Sequence, residues 1–469
     1  MRAKHLSLVA IVLTFLLLTL GGIVHNTESS LACPDWPLCY GKVFPKMQGG
    51  VLIEHSHRLL ASLVGLLTIA LCWVTYNKSK KGEMPLRRFR LSFLALFMVI
   101  VQGVLGGITV LYELPTIVST THLGLSMIFF STLILIFHET SRDSKKETSP
   151  TGEEVESFSK NWNPVWRHLI LISGIFVYLQ MLLGAFMRHS GAGASCGLGA
   201  NNWLQCLEVE TWTRSWWPVS AASELHMTHR FFAIVVALVV TAAVIQIFRF
   251  TRKTSFGGKE SIQYLGLGVL GTLVIQIALG VATIVEKLAV TPTTLHLTGA
   301  ALLLALCWKL YLDLRSAEED LYRGDPHSWI SDLVDLAKPR LSGLILMTVF
   351  VGLVLAPHEI NFFKALLALF LIALLVSGSA ALNCYLEKDI DAKMERTRKR
   401  PVPDGRLSPK AALTFGLSLI FVSLLGLTLF INVLTAILGI LGSALYLFAY
   451  TPLKQKTPYA VYVGAIPGA

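Results

Sequence analysis

A chain of 469 residues that is 54% hydrophobic and only 15% charged is too apolar to fold as one soluble domain. Its formal net charge of +11 would suit a nucleic-acid partner, but the distribution of the basic residues excludes that class. Only five of the 40 Lys and Arg residues fall in loops on one side of the predicted membrane: Lys42, Lys46, Arg188, Arg214 and Lys287. The positive-inside rule therefore accounts for the charge and predicts a cytoplasmic N-terminus.

Apolar runs long enough to cross a bilayer, which takes about 20 residues, follow one another along the chain. We predict twelve spans, at 6–25, 58–76, 91–111, 117–138, 168–187, 229–249, 262–285, 293–313, 341–356, 362–382, 411–430 and 432–450. This pattern predicts an all-α polytopic membrane protein.

Two pairs of cysteines lie in loops on the non-cytoplasmic side, just before spans two and six. An oxidising compartment favours disulfides there, so we predict the bridges Cys33–Cys39 and Cys196–Cys206. A structural role is favoured, and a redox role stays open because a bridge in a short exposed loop can be reducible.

The first eight spans contain an internal duplication. The segment "VQGVLGGITVLYELPTIVSTTHLGLS" (101–126) aligns with "IQIALGVATIVEKLAVTPTTLHLTGA" (275–300), and "HRLLASLVGLL" aligns with "HRFFAIVVALV" upstream. The alignment pairs Gln102 with Gln276, Gly106 with Gly280, Thr109 with Thr283, His122 with His296 and His57 with His229. Because each unit has an even number of spans, we expect two parallel four-helix repeats, 1–140 and 165–315, in a domain covering 1–320.

The duplication gives four histidines a common setting. We expect His57 and His229 to open spans two and six, and His122 and His296 to lie about one turn into spans four and eight. Ionisable groups inside a membrane are costly and usually functional, and paired neutral imidazoles suit the axial ligation of a haem iron. Zinc is the alternative, but neither repeat adds a third ligand of the usual kind at that depth.

The two repeats differ beside their first histidine. Glu54 precedes His57 by three residues and shares its helix face, whereas His226 occupies the corresponding place before His229. A carboxylate beside a haem iron could move protons, and its alternative role is a salt bridge with Arg58. We infer that one repeat carries out chemistry and the other holds a permanent cofactor.

Five segments around these residues form recognisable motifs: "LACPDWPLC", "EHSHR" at 54–58, "THLG" around His122, "MTHRF" around His229 and "TTLHLTG" around His296. These motifs resemble the haem A synthases, which oxidise the C8 methyl group of haem O to a formyl group. The resemblance implies that His57 and His122 bracket the substrate haem, that Glu54 is the catalytic acid/base, and that His229 and His296 ligate a haem B cofactor. A dihaem electron-transfer protein and a haem or quinone transporter remain alternatives.

A polar stretch at 315–333 predicts a domain boundary near 320–330, with a second domain over 330–469. Its chemistry lies in a loop after span ten. Carboxylates bind Mg²⁺ through oxygen, and arginines pair with phosphates, so the loop suits a lipid diphosphate. We expect the oxygen ligands Asn383, Glu387, Asp389 and Asp391 to alternate on one surface, followed by Arg396, Arg398 and Arg400.

This loop resembles the first acidic motif, N-x-x-x-D-x-x-x-D, of intramembrane prenyltransferases. With "DIDAKMERTRKRPVP", "LAKPR" (336–340) and "YTPLKQKT" (450–457), it is similar to the protohaem IX farnesyltransferases, the haem O synthases. That resemblance implies haem B and farnesyl diphosphate as substrates, Mg²⁺ as cofactor and Arg340 as a further diphosphate ligand. The family's second acidic motif would lie beyond Ala469, so we expect a piece of a longer enzyme or an incomplete second site.

The two resemblances imply consecutive reactions, haem B to haem O and haem O to haem A, in one bacterial cytoplasmic membrane enzyme. Its partners would be these haems, farnesyl diphosphate, membrane lipid and an electron acceptor that the sequence does not identify. The oligomeric state, including a homo-oligomer, stays open.

Overall fold

This computed structural model describes residues 3–142, 150–199, 205–207, 214–215, 218, 220–321, 329–355, 362–454, 456–457 and 459–465. Eleven of the described helices are long and apolar enough to cross a membrane, which confirms the predicted all-α polytopic fold. The chain forms two compact units, 1–324 and 325–469.

The first unit consists of two four-helix repeats. In each repeat the helices pack in a ring, and the repeats meet through α1, α4, α6 and α9. A short helix, α5, begins with a capping box between Thr151 and Glu154 and separates the repeats in sequence. The helices are α1 (Ala3–Asn26), α2 (Gly49–Lys80), α3 (Leu86–Leu111), α4 (Thr116–Arg142), α5 (Gly152–Asn161), α6 (Pro164–His189), α7 (Ala221–Lys253), α8 (Lys259–Val285) and α9 (Val290–Leu321).

The repeats are parallel, because corresponding helices end at the same end of the bundle. The rings of His25, at the end of α1, and His189, at the end of α6, have centroids 4.7 Å apart. Asn26 also donates to Thr294 Oγ1, near the start of α9, at 3.0 Å. We call this the disulfide end, since both disulfides lie in the loops that leave α1 and α6.

The turns from α3 to α4 and from α8 to α9 have the same unusual geometry. Glu113 and Leu114 in one turn, and Lys287 and Leu288 in the other, all have left-handed φ angles between 55° and 63°. Residues other than glycine rarely adopt left-handed φ angles. The same strained turn in both repeats is structural support for the duplication read from the sequence.

Hydropathy placed two helix starts too late. The structure begins α2 at Gly49 and α7 at Ala221, so His57 and His229 lie about two turns inside these helices rather than at their openings. The prediction was wrong because hydropathy detects only the apolar part of a helix. Here the first turns carry polar residues that pack against the disulfide loops.

The second unit is also helical, and its helices α12 and α14 cross closely. A Cβ atom on Gly378 would lie 2.8 Å from the carbonyl oxygen of Gly416, so glycine permits this approach. The span predicted at 341–356 is the 17-residue helix α11, shorter than the eleven long helices. The helices are α10 (Trp329–Leu336), α11 (Pro339–Leu355), α12 (Phe362–Leu386), α13 (Lys388–Asp391), α14 (Pro409–Gly426), α15 (Val433–Ala444), α16 (Thr451–Leu453) and α17 (Ala460–Ala465), with π-helical turns at Leu427–Ile431 and Leu445–Tyr450.

Candidate functional site

Each of the four predicted ligand histidines lies on the second helix of a hairpin and faces a glycine on the first. A Cβ atom built on that glycine would come within 2.8 to 3.5 Å of the imidazole Cε1. The glycines therefore leave room beside every ring that a side chain would fill. The pairs are Gly21 with His57, Gly106 with His122, Gly184 with His229 and Gly280 with His296.

The structure places one predicted pair of histidines in each repeat. His57 and His122 lie on α2 and α4, and His229 and His296 lie on α7 and α9, which are opposite helices of each four-helix ring. Nδ1 of His122 is buried and has no hydrogen-bond partner among the described residues. Two partly buried imidazoles in each repeat, next to space left by glycine, fit the axial ligands of a haem.

Glu54 is buried, with only 3% of its surface exposed, and both carboxylate oxygens are engaged. Oε2 accepts a hydrogen bond from Cys33 N at 2.7 Å, and Oε1 forms an ion pair with Arg58. Arg58 also donates to the carbonyl oxygens of Cys33, at 3.1 Å, and Asp35, at 2.6 Å. The salt bridge that the sequence left open as an alternative is therefore present, and it joins Glu54 to the disulfide loop.

That loop has its own internal bonds. The Cys33–Cys39 bridge closes it, with the two Cα atoms 4.9 Å apart. The Asp35 carboxylate accepts from Tyr40 N at 2.6 Å and from Gly41 N at 2.7 Å, and these bonds lower the pKa of Asp35. The loop is therefore a bonded structure rather than a loose connection.

The same loop reaches α3 through Trp36. A Cβ atom on Gly107 would lie 2.8 Å from the Trp36 ring, so this glycine permits the indole to pack directly on the helix. Gly107 follows Gly106, the glycine that faces His122. The first disulfide loop thus connects Glu54, on α2, to the hairpin that carries the second histidine of the repeat.

The second repeat has different chemistry at the corresponding place. Its loop contains the Cys196–Cys206 bridge, with Cα atoms 4.4 Å apart. His226 occupies the position of Glu54, and its Nδ1 lies 3.2 Å from the Ala192 carbonyl oxygen. Arg230, the counterpart of Arg58, places Nη2 3.0 Å from His226 Nε2. A neutral ring therefore replaces the carboxylate beside the second candidate haem site.

An apolar cavity of about 280 Å³ lies between the repeats, bounded by α4, α6 and α9. On α4 it extends from Met127 to Leu135, about 7 to 20 Å along the helix from His122 at 1.5 Å per residue. Gly174, Tyr178 and Trp308 line it from the other helices. Its lining suits a hydrocarbon chain.

In the second unit, three of the four predicted metal ligands share one helix face. Asn383, Glu387 and Asp391 are all at most 4% exposed and are spaced four residues apart, as expected for one side of a helix. Asp389 is exposed and lies on another side. The prediction of a single surface was wrong for Asp389, because the chain continues helically through α13 instead of alternating as an extended loop would.

Two lysines face this acidic surface. Lys454 Nζ lies 2.6 Å from Glu387 Oε1, and Lys338 Nζ donates to Asn383 Oδ1 at 2.5 Å. Burial lowers the pKa of Lys338. Neither lysine was predicted as a site residue, although both lie inside the motifs "LAKPR" and "YTPLKQKT".

The predicted arginines divide into two kinds. Arg400 Nη1 lies 2.5 Å from Asp391 Oδ2 and so faces the acidic surface. Arg396 and Arg398 are exposed. The side chain of Arg340 lies outside the part of the chain that the structure describes.

Two family comparisons cover most of the chain. Residues 4–308 match the family described as cytochrome oxidase assembly protein, and residues 345–469 match the UbiA prenyltransferase family. The C-terminal part of the chain is 46% identical over 144 residues to a protoheme IX farnesyltransferase of Anaeromyxobacter dehalogenans, covering 31% of this chain and 49% of that protein. It is 50% identical over 139 residues to one from Myxococcus xanthus, covering 30% and 47%. The chain thus spans about half the length of the relatives it matches.

Proposed function

The chain belongs to the cytochrome oxidase assembly protein family, and on that premise we propose that its first unit is a haem A synthase of the bacterial cytoplasmic membrane. It would oxidise the C8 methyl group of haem O to a formyl group. The observation that carries this proposal is the repeated arrangement of partly buried histidines facing glycines on the neighbouring helix. The N-terminus would be cytoplasmic, and the disulfide end would face the opposite side of the membrane.

The two pairs of histidines would have different occupants. His57 and His122 would bind the substrate haem, because Glu54 lies one helical turn from His57. His229 and His296 would bind haem B, which supplies redox chemistry when bound. No carboxylate occupies the Glu54 position in that repeat, where His226 stands instead. The first repeat thus has a carboxylate next to its proposed haem site where the second has an imidazole held by Arg230.

Glu54 would act as the proton acceptor. Converting a methyl group to a formyl group inserts one oxygen atom and, with water as the oxygen source, releases four protons and four electrons. The electrons would pass to the electron acceptor, and a base near the reacting methyl group would take up protons. The ion pair with Arg58 and the hydrogen bond from Cys33 N hold both carboxylate oxygens in place. Because both partners are held by the disulfide loop, the loop would position the base relative to His57.

The second unit would contribute the preceding step, the farnesylation of haem B to haem O. Mg²⁺ would be held by Asn383, Glu387 and Asp391, whose oxygens share one face. Lys454 and Arg400 now pair with two of these groups, and they could turn to the diphosphate oxygens when the metal binds. Neutralising the diphosphate would stabilise it as it leaves the farnesyl carbon.

The first test expresses the chain in a bacterial host that makes haem O but no haem A, then identifies the extracted haems by chromatography. Haem A should appear with the native chain. Haem B and haem O alone, with haem-loaded protein in the membrane, would instead favour the electron-transfer or transport alternatives.

A matched pair of variants tests the second unit. Asp391→Asn removes a buried carboxylate of the acidic face, whereas Asp389→Asn removes an exposed one. If this unit makes haem O from haem B and farnesyl diphosphate, only Asp391→Asn should abolish Mg²⁺-dependent product. Equal activity in the two variants would contradict the assigned metal ligands.

A further inference from the structure

Three of the four histidine hairpins contain a glutamine four residues before the glycine that faces the ring. In the α3–α4 hairpin, Gln102 Nε2 donates to the backbone carbonyl of His122 at 2.8 Å. In the α6–α7 hairpin, Gln180 Nε2 donates to the carbonyl of His229 at 2.9 Å and lies 3.1 Å from its Nδ1. The amide thus contacts both the backbone and the ring of His229.

The α8–α9 hairpin repeats this arrangement. With the Gln276 amide oriented so that its nitrogen faces the histidine, it donates to the His296 carbonyl at 2.9 Å and lies 3.2 Å from Nδ1. Its oxygen then accepts from Ala300 N at 3.1 Å. Both histidines of the second repeat are therefore held by an amide from the neighbouring helix.

The α1–α2 hairpin is the exception. The residue four before Gly21 is Leu17, whose side chain can neither donate nor accept a hydrogen bond. His57 therefore has no amide at the position where the other three histidines have one. It is also the histidine beside Glu54, at the site assigned above to the substrate.

We propose that Leu17 makes His57 the releasable haem ligand, so that the first repeat exchanges its haem while the glutamines retain the haem of the second. This inference rests on the proposed function. A substrate haem must enter and leave in every catalytic cycle, whereas a cofactor haem must stay. Gln102, Gln180 and Gln276 are positioning residues, because each acts through the histidine that it contacts.

The physical reason for the different haem release from the two repeats is the free-energy cost of turning the imidazole away from the iron. A ring and backbone held by an amide must break a hydrogen bond when they rearrange, and inside a membrane that bond is not readily replaced by water. The ring of His57 has the backbone of Leu17 as a partner, but it lacks the additional amide that contacts the rings of His229 and His296, so turning it breaks one bond fewer. One neutral hydrogen bond changes such an equilibrium by about fivefold.

The experiment measures the loss of haem from purified full-length protein to excess apomyoglobin, followed by absorbance. The native protein should lose haem in two phases. The fast phase should be absent in His122→Ala, which identifies it with the first repeat. Leu17→Gln should slow the fast phase about fivefold, and Gln180→Met should accelerate the slow phase about fivefold, as expected for one hydrogen bond gained or lost.

Leu16→Gln is the matched control, because Leu16 is exposed on the outer surface of the same helix and its amide cannot reach His57. It should leave both phases unchanged. Should Leu17→Gln fail to fold, Gln102→Leu provides the second variant, and it should accelerate the fast phase.

An unchanged fast phase in folded Leu17→Gln, or equal slowing in Leu16→Gln, would overturn the proposal, and so would a fast phase that survives in His122→Ala and disappears in His229→Ala. Failure of the proposed function itself looks different, because the native protein would then hold haem that none of the four histidine variants affects.

Discussion

The two repeats of the first unit share a frame but differ in what surrounds their histidines. Both keep the glycine beside each ring and the same left-handed turn before the second histidine of each repeat. They differ at Glu54, which becomes His226, and at Leu17, which becomes Gln180. On the proposed function, the shared positions would make the space for a haem and the positions that differ would determine its use.

The largest expected effect comes from replacing Glu54, which lies beside the first histidine of repeat one and corresponds to His226 in repeat two. Glu54→Gln keeps an acceptor for Cys33 N but removes the proton-accepting charge, so haem A formation should fall by about 10²-fold or more while haem stays bound. The measurement is the haem A yield from haem O in isolated membranes. In the other repeat, His226→Gln should retain haem A formation. Similar losses in both variants would mean that the repeats are not divided by this residue.

A smaller effect should come from the glycines, and it should differ between the repeats. A Cβ atom on Gly184 would lie 2.8 Å from His229 Cε1, too close without a shift, whereas one on Gly106 would lie 3.5 Å from His122 Cε1, an ordinary contact. Gly184→Ala should therefore lower the haem B content of the purified protein.

Gly106→Ala is the control for that variant, because it is the same substitution inside a helix. In a helix interior Ala is more favourable than Gly by up to about 1 kcal/mol, so the substitution by itself should not destabilise the protein. It should keep the native haem content. The reverse order of the two variants would contradict the distances between these glycines and the histidine rings.

The smallest effect concerns the cavity between the repeats, which we expect to take the farnesyl tail of haem O. A Cβ atom on Gly174 would lie 3.8 Å from Cys307 Cβ, so Gly174→Ala fits, and Gly174→Leu adds volume to the cavity wall. Gly174→Leu should raise KM for haem O a few-fold, since a filled pocket loses apolar contact worth about 1 kcal/mol. Unchanged KM in a folded Gly174→Leu would place the tail elsewhere.

The fold could largely be predicted from the sequence because each helix that crosses the bilayer needs a long apolar run, which hydropathy detects directly. Eleven of the twelve predicted spans correspond to long apolar helices, and both predicted disulfides are formed. The duplication was visible in the α3–α4 and α8–α9 hairpins because their histidines, glycines and glutamines lie at equal spacing. In the α6–α7 hairpin a loop of more than thirty residues separates Gln180 and Gly184 from His229, so the same pattern was hidden.

Features that depend on side-chain direction could not be predicted. Glu54 has Arg58 one turn away and His57 almost as near, and only the path of the disulfide loop decides that both oxygens are engaged. Asp389 was predicted on the same surface as the other ligands because alternating side chains share a face in an extended chain. The chain there is helical, so Asp389 lies on another side. Lys454 and Glu387 are 67 residues apart, and nothing local in the sequence indicates that they meet.

The central claim, that the first repeat carries the substrate and the second the cofactor, is tested most directly by comparing His57→Ala with His229→Ala. Membranes carrying each variant are given haem O, and the haems bound to the purified protein and formed in the membrane are identified by chromatography. His57→Ala should form no haem A yet keep haem B, whereas His229→Ala should lose the bound haem B. Loss of haem B from His57→Ala with its retention in His229→Ala would contradict the account.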